Sequence, residues 1–195
     1  MDPQRHIRPI DVGQINFQPS GEIGFLLRAS VGIEAAVVEV TGRELKERYG
    51  IFAYVMAALQ TLREPQTALY QLNIDGRTVE CEGLTCLIAN AGSLGVPGLS
   101  LSPAISVDDG LLDVFVIRKA DLAGIVQLAA SIMGAAEKIE NMPHWQAREV
   151  SIVASPVQSV QGDGDLLGQS PIRCKVLPRA LKVIVPEHPA LPTLL

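Results

Sequence analysis

The stretch Ala68-Leu-Tyr-Gln-Leu-Asn-Ile-Asp-Gly-Arg-Thr-Val-Glu-Cys-Glu82 sets the character of the chain. Ala68 to Ile74 reads as one strand. Asp75-Gly76 follows, a pair that tolerates the positive φ angles of a two-residue hairpin turn. Arg77 to Glu82 then reads as the return strand. The next run, Leu84 to Asn90, is apolar apart from Thr85 and Asn90 and reads as a buried strand.

Working outward, more strands appear than helices. Ile7 to Phe17 reads as an opening strand, Gln18-Pro19-Ser20-Gly21 as a turn, and Ile23 to Val31 as a second strand. Leu111 to Arg118 is a further strand. Near the C-terminus, Ala147 to Ala154, Ser159 to Gln161 and Ile172 to Leu177 read as strands, and Pro178-Arg179 as a turn into Ala180 to Val185. Two helices are expected. One spans 42 to 63, with Thr41 as cap, Glu44 as its capping-box partner and Glu64-Pro65 as its end. The other runs from Asp121 to about Lys138. About ten short strands against two helices predict a mainly β protein, a two-sheet β-sandwich with two appended helices. The sandwich is expected over residues 1–185, with 186–195 as a tail.

Composition narrows the function classes. Of the 195 residues, 48% are apolar and 4% aromatic, so the core is expected to be aliphatic. The net charge is −5, and the chain has no basic stripe of the kind nucleic acid requires. Arg43, Lys46 and Arg48 alternate with Glu44 and Glu47 and read as a solvated helix face. The cysteines Cys81, Cys86 and Cys174 have neither zinc-site spacing nor an even count, which points to reduced thiols in a cytoplasmic protein. The polar opening, Met1 to Asp11, does not read as a signal peptide. The longest apolar segment, 123 to 136, falls short of the roughly 20 residues of a membrane span.

Two acidic clusters could carry chemistry: Ser106-Val107-Asp108-Asp109-Gly110-Leu111-Leu112-Asp113 and Gln161-Gly162-Asp163-Gly164-Asp165. Both lie at strand ends beside glycine, where the bland alternative is a plain turn. The second is not an EF-hand, because the twelfth position from Asp163 is Cys174 rather than glutamate. Gly92 to Gly98 does not read as a phosphate cradle, since Pro97 lacks an N–H and no helix follows. His6, His144 and His188 have no ligand spacing, no G-x-S-x-G elbow exists, and His144-Trp145 reads as a loop end.

The order of the pieces carries a resemblance. Arg8-Pro9-Ile10-Asp11-Val12-Gly13, Gly32-Ile33-Glu34-Ala35, the helix from Arg43 through Tyr54, Asp108-Asp109-Gly110-Leu111-Leu112-Asp113, Gly162-Asp163-Gly164-Asp165, and the closing Val176-Leu177-Pro178 with Ala180-Leu181 occur in sequence. This set resembles the C-terminal domain of bacterial diacylglycerol kinases and sphingosine kinase-like lipid kinases, within the NAD kinase-like superfamily. The resemblance implies an ATP-dependent transfer of phosphate to a lipid hydroxyl. It also implies a separate N-terminal nucleotide domain carrying Gly-Gly-Asp-Gly-Thr, a motif not found in these 195 residues, so the chain reads as a fragment, or as a protein that lost its kinase half, inactive alone. The family's magnesium site falls on the backbone carbonyls of Ser106 and Leu111 and the carboxylate of Asp109, and its proton acceptor on Asp165. The family usually has glutamate there, one methylene longer, and it has an asparagine where Leu27 stands.

By the same resemblance, Mg2+ and ATP are the cofactor and co-substrate. The partners are a lipid, a transient membrane surface, the chain's own nucleotide domain and a possible second copy. A degenerate lipid- or protein-binding module is the alternative, and a relative that phosphorylates NAD a third reading.

Overall fold

The computed structural model describes residues 5–17, 21–32, 67–96, 99–100, 102, 104–118 and 142–186. Both expected helices fall outside these residues. Fourteen strands lie within them: β1 (Arg5–Phe17), β2 (Gly21–Phe25), β3 (Arg28–Gly32), β4 (Ala68–Ile74), β5 (Arg77–Gly83), β6 (Thr85–Ala89) and β7 (Ser93–Val96), then β8 (Leu99–Ser100), β9 (Leu112–Ile117), β10 (His144–Ala147), β11 (Glu149–Ser155), β12 (Ser159–Gly162), β13 (Asp165–Gln169) and β14 (Ile172–Pro186). They form two six-stranded sheets, ordered β2-β1-β14-β11-β4-β5 and β10-β9-β6-β3-β12-β13, and a small β7–β8 pair. The pairings within both large sheets are antiparallel.

The core lies between the two sheets. Ile15, Tyr70, Leu72, Val150, Ile152 and Cys174 from the first sheet share one buried cluster with Val31, Cys86, Ile88, Leu112, Val114, Val116 and Val160 from the second. Removing such a side chain from water stabilises the fold by about 1.5–3 kcal/mol. The expected hairpin is present, and along β4 every second residue, from Ala68 to Ile74, is buried. In β6 all five residues are buried, as the continuous apolar run implies. Tyr70 ties the layers together, its hydroxyl donating to the carbonyls of Val31 (2.9 Å) and Leu84 (3.3 Å). Burial, reinforced by Cys86, pushes this phenol well above its usual range.

Five features depart from the sequence expectations. The single strand expected over Ile23 to Val31 is two strands in different sheets, with the chain crossing over at Leu26-Leu27. The turn expected at Pro178-Arg179 is an irregularity inside one continuous β14, where the β1 register jumps from Ile10↔Leu181 to Val12↔Leu177. Pro178 has no ladder donor, and the Arg179 N–H points instead to a side chain of β1. His144-Trp145 belongs to strand β10, paired with β9, rather than to a loop end. The glycine-rich stretch from Ala91 to Ser102, which reads as a loop, contains the paired strands β7 and β8. Finally, the residues from Asp165 onward form an edge strand, β13.

Candidate functional site

The second acidic cluster is a hairpin tip. Asp163 and Gly164 have φ of 49° and 97°, the double positive φ of a type I′ turn. Asp163 does more than turn the chain. Its carboxylate accepts the N–H groups of Leu26 (2.6 Å), Leu27 (2.9 Å) and Arg28 (2.9 Å), and its own N–H donates to the Arg28 carbonyl. The crossover between the sheets is therefore held by one side chain 137 residues away from Leu26 in sequence. Asp165 opens β13 opposite Gly162 and is exposed, with Leu166 beside it 64% exposed. Among the described residues its carboxylate has no partner, so it is open to accept a proton or a hydrogen bond.

The same arrangement recurs at the other Asp-Gly turn. Asp75 and Gly76 have φ of 48° and 89°, and the Asp75 carboxylate accepts the N–H groups of Arg148 and Glu149. Aspartate suits both turns because it tolerates positive φ and offers two acceptor oxygens to neighbouring backbone.

The first acidic cluster is the loop leading into β9. Asp109 is exposed, and its Oδ1 accepts the Leu111 N–H at 3.0 Å. Partial desolvation of its carboxyl raises the pKa, and the charges of Asp113 and Asp11 act in the same sense, against the Leu111 hydrogen bond. Ser106 donates to Asp108 Oδ1 at 2.7 Å, and Arg8 reaches Asp108 Oδ2 at 2.7 Å. Behind the loop, Asp113 is 2% exposed. One of its oxygens meets His144 Nε2 at 2.7 Å, while the other has no partner among the described residues. The His144 ring stacks on Phe115 with centroids 4.3 Å apart.

Among the described residues no cluster of three or more His, Cys, Asp or Glu side chains is arranged to hold a metal ion. A cation on this loop would rest on backbone carbonyls, one carboxylate and water. Such an all-oxygen donor set fits magnesium.

A buried polar network joins the two clusters. Asn90, fully buried, donates from Nδ2 to the carbonyls of Asp11 (3.1 Å) and Leu26 (2.9 Å), and the Leu27 carbonyl accepts the N–H groups of Asn90 and Ala91. Asp11, also fully buried, accepts the Gly110 N–H at 2.7 Å. Hydrogen bonds thus run from Asp163 through residues 26–28, Asn90 and Asp11 to the 106–111 loop. Residue-level reading missed Asp11 and Asn90 as hubs. A signal existed for Asp11, which shares the inward parity of Ile15 and Phe17 along β1. A shallow polar cavity on the first sheet, lined by Gln14, Asn16, Glu22, Glu149, Arg173 and Lys175, includes neither cluster.

Comparison with known proteins agrees with this architecture. A family model described as the YegS C-terminal NAD kinase β-sandwich-like domain matches residues 28–185. The chain is similar to an uncharacterized protein of Synechocystis, at 31% identity over 170 residues, covering 85% of this chain and 39% of that protein. It is similar to a diacylglycerol kinase of Bacillus subtilis, at 26% identity over 185 residues, covering 94% and 59%. A crystal structure of a diacylglycerol kinase from Bacillus anthracis shares the fold, with a TM-score of 0.69 at 23% identity over 91% of this chain and 56% of that one. The chain spans about half the length of these relatives. With more than three quarters of its residues inside the family model, the chain belongs to the YegS C-terminal, NAD kinase β-sandwich-like domain family.

Proposed function

We propose that this chain is the substrate-facing domain of an ATP-dependent lipid kinase that phosphorylates a lipid hydroxyl of diacylglycerol type. The observation that carries the reading is the exposed Asp165 carboxylate at the start of edge strand β13, in a chain whose relatives include a diacylglycerol kinase. Asp165 acts as general base. The substrate oxygen attacks the γ-phosphorus, its proton passes to the Asp165 carboxylate, and the bond from the γ-phosphorus to the β-phosphate oxygen breaks to release ADP. Such a base works within roughly 2.6–3.2 Å of the hydroxyl oxygen. Transfer is then mostly a matter of positioning and charge.

Ser106 and Leu111, through their carbonyls, and Asp109, through its carboxylate, would hold Mg2+. When bound, the ion would supply positive charge that offsets the carboxylates of the acidic loop. ATP binds chiefly to a nucleotide domain bearing Gly-Gly-Asp-Gly-Thr, which the sandwich faces; the tail expected to pack on it lies, beyond residue 186, outside the described residues. Without that domain the 195-residue chain transfers no phosphate. The working location is the cytoplasm, with transient contact at the membrane surface where the lipid resides.

A second reading, a degenerate module that binds lipid without transferring phosphate, is favoured by the aspartate at position 165, where the family usually has glutamate. The deciding experiment measures transfer of labelled γ-phosphate from Mg-ATP to a panel of lipids, using the longest natural gene product that contains this chain. Transfer that collapses in Asp165→Asn and persists in Asp165→Glu is the expected result. A folded, ATP-binding protein that phosphorylates no lipid sinks the kinase reading in favour of the binding module.

A further inference from the structure

Strand β1 grips the 106–111 loop at two points. At the first, Arg8 donates from Nε (3.1 Å) and Nη2 (2.7 Å) to Asp108 Oδ2, while Ser106 fills Oδ1. The Ser106 hydroxyl and the Arg8 guanidinium hold the Asp108 carboxyl below its usual range, and Arg179 adds to the effect. At the second, the Asp11 N–H donates to the Val107 carbonyl at 2.7 Å. The Asp11 carboxylate accepts the Gly110 N–H at 2.7 Å on one oxygen and the Arg179 N–H at 2.7 Å on the other. Hydrogen bonds to a carboxylate at this length are the strong, charge-assisted kind.

The burial of Asp11 is the telling feature. A carboxylate with no exposure, satisfied by backbone N–H groups, is a costly way to fill a strand irregularity. What it secures is the peptide at Gly110, whose φ is 75°. The Gly110 N–H belongs to the Asp109–Gly110 peptide, so this bond bears on where Asp109 points and on the turn that carries the chain to Leu111. The second oxygen secures Arg179, at the irregularity beyond which residues 181–186 pair with 5–10 of β1. The other pairings of β1 and β14 lie below it, at residues 13–17 with β2 and 172–175 with β11.

We infer that β1 is the clamp that sets the geometry of the cation loop, with Asp11 as its principal positioning residue and Arg8 as its second. The inference rests on the cation reading given above. Asp11 touches no cation. It orients the backbone that does, as outer partners of metal ligands do elsewhere, where their loss typically costs about 10–100-fold in metal affinity. Because the same carboxylate holds Arg179, a cation that tightens the loop also tightens the ribbon of residues 5–10 and 181–186. Linkage makes that coupling reciprocal.

The test uses the 195-residue chain with Mn2+ as probe, Mg2+ in competition, and amide hydrogen exchange across 106–111 and 179–185. Asp11→Asn keeps the shape but places an NH2 against one of the two N–H donors. The expected result is a loss of Mn2+ affinity of about 10–100-fold, together with loss of the Mg2+-induced slowing of exchange at 179–185 seen in the wild type. Arg8→Gln, at a half-exposed pair, is expected to lose about 2–5-fold. It remains informative if Asp11→Asn does not fold, since unchanged affinity in Arg8→Gln then overturns the clamp. A folded Asp11→Asn that binds Mn2+ like the wild type overturns the inference while leaving the cation reading intact. A wild type that binds no Mn2+, or an Asp109→Asn variant that binds it undiminished, overturns the cation reading itself.

Discussion

Replacing Asp163 with alanine tests whether one side chain holds the crossover between the two sheets. The carboxylate accepts three backbone N–H groups, from Leu26, Leu27 and Arg28, at 2.6–2.9 Å. A helix-capping side chain that satisfies one or two such donors is worth about 1 kcal/mol. Three donors on a charged acceptor reach about 2–3 kcal/mol, with the exposure of Asp163 keeping the figure at the low end of charged hydrogen bonds. Alanine at the φ of 49° adds about 1 kcal/mol of backbone strain. The expected loss is therefore about 3–4 kcal/mol, or roughly 6–16 °C in Tm at the 2–4 °C per kcal/mol typical of this chain length. Asparagine accepts positive φ and keeps one acceptor, so Asp163→Asn should lose about half as much. Urea unfolding gives the free energies, and hydrogen exchange at residues 26–28 gives the location. A loss in Asp163→Ala below about 0.5 kcal/mol, with exchange at those amides unchanged, would refute the reasoning.

Other outcomes follow from the same geometry. Gly13→Ala should cost about 1–3 kcal/mol in urea unfolding, because a Cβ there would sit 2.1 Å from the Phe25 ring paired across from it. His144→Ala removes the partner of a carboxylate that is 2% exposed, and a loss of about 1–3 kcal/mol is expected; the loss should shrink when Asp113→Asn is introduced in the same chain. Buried Cys86 and Cys174 should resist thiol reagents in the native state, leaving half-buried Cys81 to react first, as mass spectrometry of labelled peptides would show. Burial pushes the Cys174 thiol from 9.0 to about 12 and raises Cys86 in the same sense. The unfolded chain therefore releases these protons first, so stability holds below pH 9 and falls as pH climbs from 9 toward 12. A denaturation midpoint that does not fall over that interval would contradict the assignment.

Local patterns in the sequence already carried a good part of the structure. The hairpin around the Asp75-Gly76 turn and the largely apolar run into β6 were legible because turn chemistry and local hydrophobicity act between near neighbours. The ordered motifs gave the family for the same reason: each is a short run whose order survives without any contact map. Where local signals competed, reading failed. Pro178-Arg179 reads as a turn, yet the strand passes through it because Asp11 takes the Arg179 N–H. Leu26-Leu27 lies inside a run that reads as one strand, yet the chain changes sheets there because Asp163 takes the amides that would otherwise continue the ladder.

The sequence by itself determined a mainly β chain, its central hairpin and its family. Which strands share a sheet, the edge position of β13 and the joining of two acidic clusters by Asn90 and Asp11 were decided only by the tertiary structure. Those features depend on hydrogen bonds between residues 79, 99, 137 and 168 positions apart. No period or turn rule reaches that far. A buried polar group takes whatever partner the packed sheets bring to it, and the packing exists only once the whole chain has folded.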